Sequence, residues 1–409
     1  MFADETFVII GASQAGGWIA KTLRNEGFQG NITLVGEEPY LPYERPPLSK
    51  GALLGEVNLE STYFWPEDSY SEEKIDVILK TRVTAIDRAN KSVELDNGTT
   101  LNWNKLAITT GTRVRPLDAA GVELEGVHYL RTLDDTLKVR ENLSPGGTAL
   151  IVGGGWIGLE CAATLTKLGY ETIVVEYADR LCSRAVTPEI SDWMLHYHQG
   201  NGVKVLLNTG VNSLSGRDDH VESATLSDGT VINCSKVIIG IGVIPNTELA
   251  EQAGLTIDNG ILVDELCQTN DPNIFAAGDV SNHPNNILGR RLRLESWENA
   301  MNQGIATGKS MLGKGIAYSE IPWFWSDQFE ANIQMIGLPE EWDETATRGD
   351  KGKHEFVEFY LKNKLIVGAI SVNSTRDLRM AKRLMQAQKE VAKIDLENPE
   401  IKIQALLKS

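Results

Sequence analysis

Short apolar runs, each closed by glycine or an acid and followed by helical spacing, set the rhythm of this chain. The clearest is Ala149-Leu150-Ile151-Val152, which runs into Gly153-Gly154-Gly155-Trp156-Ile157-Gly158 and then Leu159-Glu160. This pattern predicts a buried strand, a glycine loop and a helix. Thr172-Ile173-Val174-Val175 supplies a second strand, closed by Glu176. The same order stands near the N-terminus. Phe7-Val8-Ile9-Ile10 predicts a strand, Gly11-Ala12-Ser13-Gln14-Ala15-Gly16 a loop, and Trp18 to Glu26 a helix capped by Gly27. Ile32-Thr33-Leu34-Val35 follows as the partner strand, with the acid Glu37 at its end.

The parallel continues downstream. Asp96-Asn97-Gly98 and Ser227-Asp228-Gly229 predict hairpin turns. Each leads to an apolar strand running into glycine: Leu106-Ala107-Ile108-Thr109-Thr110-Gly111 and Val237-Ile238-Ile239-Gly240-Ile241-Gly242. A whole domain plan is present twice.

Strand, G-x-G-x-x-G, helix, and an acid about twenty residues on form the dinucleotide-binding layout. In the second copy Gly153 makes the tight turn, Gly155 admits a pyrophosphate to the backbone, and Gly158 lets helix and strand pack closely. The helix presents its positive end to phosphate. The first copy has Ser13 where a second glycine is usual. Serine is small enough to sit by a pyrophosphate and can donate to it, although alone this copy reads equally as a plain strand–helix joint. Together the copies predict two bound dinucleotides. Glu176 suits both ribose hydroxyls of NADH and repels the 2′-phosphate of NADPH; Arg180 and Arg184 are the nearby cations that could offset it.

Between the first fingerprint and its hairpin lies Leu41-Pro42-Tyr43-Glu44-Arg45-Pro46-Pro47-Leu48-Ser49-Lys50, a proline-stiffened stretch from which Arg45 and Lys50 project. It reads either as a charged surface loop or as part of a site. After the second copy the chain returns to an apolar strand ending in Ala276-Ala277-Gly278-Asp279, whose carboxylate can receive a sugar hydroxyl. A helix of small residues after Glu295-Ser296-Trp297 suits close approach to a ligand. From Pro322 the composition shifts to an aromatic run, Trp323-Phe324-Trp325-Ser326-Asp327-Gln328, a strand pair at 356–361 and 365–370, and a basic amphipathic helix with Arg376, Arg379, Lys382 and Arg383. The expected architecture is α/β: two Rossmann-like domains, the second inserted in the first, and a smaller α+β domain. The expected bounds are 1–113 with 247–321, 114–246, and 322–409.

Composition narrows the partners. A net charge of −17 argues against nucleic acid. No apolar run approaches the roughly 20 residues of a membrane helix. The acidic start Met1-Phe2-Ala3-Asp4-Glu5 does not resemble a secretory signal, so the cytoplasm is the expected location. Cys161, Cys182, Cys234 and Cys267 form no C-x-x-C, and His196 and His198 point apart on a helix, so no metal site is expected.

These motifs together resemble the flavin- and nicotinamide-dependent ferredoxin reductases of bacterial oxygenase systems, which have the glutathione-reductase fold with their own C-terminal domain. The resemblance rests on both fingerprints, the Pro-Tyr-Glu-Arg-Pro-Pro-Leu-Ser-Lys run, Ala-Ala-Gly-Asp and Trp-Phe-Trp-Ser-Asp-Gln. It implies FAD on the first copy, with Gly11, Ser13 and Gly16 at the pyrophosphate and Glu37 at the adenosine ribose. Arg45, Lys50, Val83 and Arg131 would line the flavin, with Thr110, Gly111 and Trp297 also in contact. Asp279 would hold the ribityl side and Trp325 would lie near the isoalloxazine. NADH would use Gly153, Gly155, Ile157 and Gly158, with Glu160, Glu176, Arg184 and Gly242. Lys50 and Glu160 are the implied catalytic pair.

The implied reaction is hydride transfer to flavin followed by one-electron delivery to a [2Fe–2S] ferredoxin, which feeds a terminal oxygenase of aromatic hydrocarbon catabolism. A monomer or homodimer would suffice. Relatives that reduce disulfides carry a cysteine pair near the Lys50 region, and this chain has none. The rival readings are an NADH oxidase or peroxidase, an apoptosis-inducing-factor-like flavoprotein and a rubredoxin reductase. Docking of an acidic ferredoxin would need a local basic patch: Lys50, Arg290 with Arg291 and Arg293, or the Arg376–Arg383 helix.

Overall fold

The computed structural model describes residues 4–408 apart from 142, 144 and 145; Met1-Phe2-Ala3 of the acidic start lie outside the described residues. Two five-stranded parallel sheets carry the repeated plan. In the first, Thr6–Ile10 lies between Asn31–Val35 and Lys105–Ile108; Ile75–Ile78 and Ile274–Ala276 form the edges. In the second, Thr148–Val152 lies between Glu171–Val175 and Lys236–Ile239; Lys204–Leu206 and Val127–Tyr129 form the edges. Phe7, Val8 and Ile9, like Ala149, Leu150 and Ile151, are fully buried, as strands covered on both faces require. Each predicted hairpin turn joins strands of a three-stranded antiparallel sheet, at 83–102 and 211–233.

Two helices differ from the sequence expectation. The first begins at Gln14, not Trp18, because Ser13 is already extended and the loop is only Gly11–Ser13. Gly16 and Gly17 serve packing in its first turn: an added Cβ would lie 2.0 Å from the Gly11 carbonyl oxygen and 3.0 Å from Pro42, respectively. The helix Trp297–Met311 turns two of its small residues to a neighbouring helix rather than to a ligand. Gly304 and Gly308 sit against Ala15 and Thr22 of Gln14–Asn25. Of this helix, only Trp297 and Ala300 reach the cavity described below.

The last part is an antiparallel sheet in the order 323–328, 331–337, 365–372, 355–362, 344–350. Asn363 and Lys364 join two of its strands with φ 51° and 63°, the left-handed pair a two-residue hairpin demands. The basic helix Thr375–Gln386 buries Leu378, Ala381, Leu384 and Met385 and leaves Arg376, Arg379 and Arg383 exposed. One apolar cluster joins this sheet to the second repeat, bringing Phe356, Tyr360 and Ile370 together with Leu159, Trp193 and Met194. That junction carries the strand Trp323–Gln328 to the helix Trp156–Lys167. No helix among the described residues is long and apolar enough to cross a membrane.

Candidate active site

The first glycine loop opens on a cavity of about 1010 Å³. Gly11 holds φ 113°, and a Cβ there would lie 2.2 Å from the Thr109 carbonyl oxygen, so only glycine fits this turn. Gly11 and Ser13 form one wall, while Gly16 stands behind it. Glu37 borders the cavity at its open end, 71% exposed and 3.9 Å from Arg82. Val83, Thr110 and Gly111 line the floor, with the Thr110 hydroxyl donating to the Asn246 carbonyl.

Two guanidinium groups face the cavity from the side. Arg45 donates to Glu38 Oε1 at 2.5 Å, to the Arg131 carbonyl at 2.6 Å and to the Tyr43 hydroxyl at 3.0 Å. The stretch Pro46–Ser49 is a single 3₁₀ turn, started by the two prolines whose fixed φ suits it. Arg131 is 3.2 Å from Asp279, and the Thr112 hydroxyl bonds the same carboxylate oxygen. Burial pulls the Arg131 guanidinium down, Arg45 adds to this, and Asp279 opposes both. Sequence reasoning missed Glu38 and Tyr43, which hold Arg45 in place. Their signal was the tyrosine inside the proline run and the doubled acid at 37 and 38.

At the other end stand Lys50, Glu160, Ile157, Trp297 and Trp325. Lys50 Nζ is 3.0 Å from Glu160 Oε1 and 5.8 Å from the Trp325 ring centroid. Trp297 meets Trp325 edge-on at 6.0 Å. Glu160 is 3% exposed and is the acid that the second repeat's helix sends into the first repeat's cavity. The expected pair of Lys50 and Glu160 is present as an ion pair.

The second loop repeats the geometry without the enclosure. Gly153 has φ 109°, and a Cβ would lie 2.5 Å from the Gly240 carbonyl oxygen; at Gly158 it would lie 2.1 Å from that of Gly153. A Cβ added at Gly155 would meet no atom of another segment within 4 Å. Glu176 accepts from Gly154 N at 2.6 Å and Ala178 N at 2.7 Å. Gly242 has φ 102°, and a Cβ there would lie 3.5 Å from the exposed Arg184. Arg180 is tied to the carbonyls of Val186 and Ser183.

The basic patch expected at residues 290–293 is not free. Arg290 pairs with Glu340, Arg291 donates to the Val263 and Asn282 carbonyls, and Arg293 pairs with Glu295. Buried carbonyls and nearby acids use up these cations. Lys382 is likewise bound to Glu298.

The residues present fit an extended dinucleotide. The cavity has a glycine turn that excludes any Cβ, two guanidinium groups for anionic oxygens, and two buried polar atoms without protein partners, Gln14 Oε1 and Trp297 Nε1, on residues that line it. Two such nucleotide units, one enclosed and one open, define an oxidoreductase architecture built for a pair of dinucleotides. The chain belongs to the pyridine nucleotide-disulphide oxidoreductase family, whose model matches residues 5–304, and a reductase C-terminal model matches residues 323–407. It is 40% identical over 395 residues to the anthranilate 1,2-dioxygenase system ferredoxin–NAD(+) reductase component of Burkholderia cepacia, covering 95% of each chain. The reductase of the solved covalent putidaredoxin reductase–putidaredoxin complex is similar at 35% identity and a TM-score of 0.96, with 99% of both chains covered. The ferredoxin reductase of the CYP199A2 system from Rhodopseudomonas palustris gives 35% and 0.95, with 98% of this chain and 99% of that one covered.

Proposed function

We propose that this chain takes electrons from NADH, passes them through FAD, and delivers them to a ferredoxin. The observation that carries this is the Lys50–Glu160 pair, 3.0 Å apart where the second repeat's helix enters the first repeat's cavity. FAD would occupy that cavity, with Gly11 and Ser13 at the pyrophosphate, Glu37 at the adenosine ribose and Asp279 at the ribityl side. NADH would lie along the second loop, with Glu176 at its ribose. The corresponding division of the chain is 1–113 with 247–321, 114–246, and 322–409. When bound, FAD supplies the conversion of a two-electron donor into one-electron delivery, which no side chain can perform. Lys50 would favour the electron-rich state of the ring beside it, and Glu160 would hold Lys50 in place.

All four cysteines are buried and unpaired, and none lines the cavity. Electrons therefore have no dithiol beside the flavin site to visit, and an external acceptor takes them. The relatives supply the class of that acceptor: one serves a dioxygenase system, another is joined to putidaredoxin. A [2Fe–2S] ferredoxin feeding an oxygenase is the acceptor proposed here. Its docking face is the exposed side of the helix Thr375–Gln386. NADH-driven cytochrome c reduction that requires added ferredoxin tests the reading. Full NADH consumption with oxygen alone would favour an oxidase instead.

A further inference from the structure

Glu160 is buried among donors. Ser326 Oγ lies 2.6 Å and Lys50 Nζ 3.0 Å from Oε1, and Ser49 Oγ lies 2.5 Å from Oε2. Ser326 is held in turn. Gln328 Nε2 donates to its Oγ at 3.0 Å, and Gln328 Oε1 lies 2.8 Å from His198 Nε2. Ser326, Gln328 and His198 are all fully buried. Ser326 and Gln328 share one face of the strand, two residues apart, and so reach helices of the second repeat together.

The hydrogens of this chain have one consistent direction. Burial pulls His198 down to about 4, so the ring is neutral at neutral pH and carries a single N–H. Nδ1 has no partner, whereas Nε2 faces the amide oxygen, which places the proton on Nε2. Gln328 then presents its NH₂ to Ser326, and the Ser326 hydroxyl is left to donate to Glu160. The reverse amide orientation would draw the Ser326 hydrogen away and strip Glu160 of that donor.

We propose that Ser326, backed by Gln328 and His198, is a positioning residue that keeps Glu160 a carboxylate beside Lys50, so that the C-terminal sheet sets the charge at the flavin–nicotinamide junction. The proposal rests on the NADH–FAD reading above. Burial pushes the Glu160 carboxyl up, while Lys50, then Ser326 and Ser49, pull it back down. A protonated Glu160 would have to turn a serine hydroxyl from donor to acceptor and would leave Lys50 without its counter-charge, so its donors favour the carboxylate. The Cys161 and Cys182 thiols are pushed far up by burial first, then by the charge of Glu160 at Cys161 and of Glu176 and Glu160 at Cys182, so both stay protonated. Asp327 lies on the other face of the strand, bonded to Asn332. Lys50 is the one cation within contact distance among the described residues.

Infrared titration of the FAD-loaded enzyme tests this, following the carboxylic-acid C=O stretch that appears as pH falls and is lost in Glu160→Gln. Ser326→Ala is expected to raise the pH at which the band appears by about 1–2 units, the loss of one hydrogen bond to a charged group. Gln328→Met leaves Ser326 in place and is expected to raise it less; it serves if Ser326→Ala does not fold. The pH profile of flavin bleaching by NADH is expected to move by the same amount and in the same direction. A purely structural defect would lower the rate at every pH without moving the profile. An unmoved band in both variants, or a moved band with an unmoved profile, overturns the proposal. If NADH fails to bleach the flavin of the unaltered enzyme, the functional reading falls instead, and the band alone decides whether Ser326 holds Glu160.

Discussion

The two repeats share strand, glycine turn, helix and terminal acid, yet they offer a nucleotide different surroundings. The first faces a cavity of about 1010 Å³, closed by the Arg45 turn, by Arg131 with Asp279, and by tryptophans from the last third of the chain. The second contributes only Ile157 and Glu160 of its loop and helix to that cavity, and its Gly155 faces open space. The acids are used differently too. Glu37 is 71% exposed, whereas Glu176 is fixed by two backbone donors. One backbone plan thus makes an enclosed site where other segments cover it, and an open one where they do not. Enclosure, more than the glycine motif, separates the proposed FAD and NADH roles.

The comparison breaks most sharply at the glycines. Gly11→Ala places a Cβ 2.2 Å from a carbonyl oxygen at φ 113°, and is expected to abolish flavin retention, read as flavin absorbance per chain. Next comes Lys50→Met, which should keep the flavin but slow its bleaching by NADH at least about tenfold, or ~1.4 kcal/mol of barrier. An unchanged stopped-flow rate would remove Lys50 from the chemistry. Gly155→Ala meets no protein atom within 4 Å, so the fold and flavin content should hold while the KM for NADH rises severalfold. Equal KM values would mean that no pyrophosphate approaches there.

Smaller effects sharpen the picture. Glu176 stands at the proposed ribose site and Arg180 is committed to carbonyls, so NADH should be preferred over NADPH. Glu176→Arg should narrow that preference in steady-state turnover; equal use of both nucleotides by the unaltered enzyme would refute it. The mildest change is Arg379→Glu on the exposed face of the last long helix. It should raise the KM for ferredoxin a few-fold at low salt and little at high salt, where the Debye length falls to about 3 Å. Turnover with ferricyanide should not move.

The repeated fold was legible in the sequence because its signals are local: runs of four or five apolar residues, glycines at φ values other residues avoid, and hairpin turns. Lys50 and Glu160 were named through resemblance, since nothing in their spacing brings residue 50 to residue 160. The donors around Glu160 were invisible for the same reason. Ser49, His198, and Ser326 with Gln328 come from three segments and meet only in the packed molecule. The small residues at 304 and 308 show the converse. Their composition suggested a ligand surface, but helix–helix contact consumed them. Charge behaved likewise at 290–293, where clustered arginines found internal partners.

Desalting the enzyme after anaerobic loading with FAD and NAD⁺ tests the contrast between the repeats most directly. One FAD per chain should stay with the protein and NAD⁺ should leave, after which fresh NADH should bleach the retained flavin and oxidised [2Fe–2S] ferredoxin should restore its colour. Flavin lost while NAD⁺ remains, or retained flavin that NADH cannot bleach, would contradict the account.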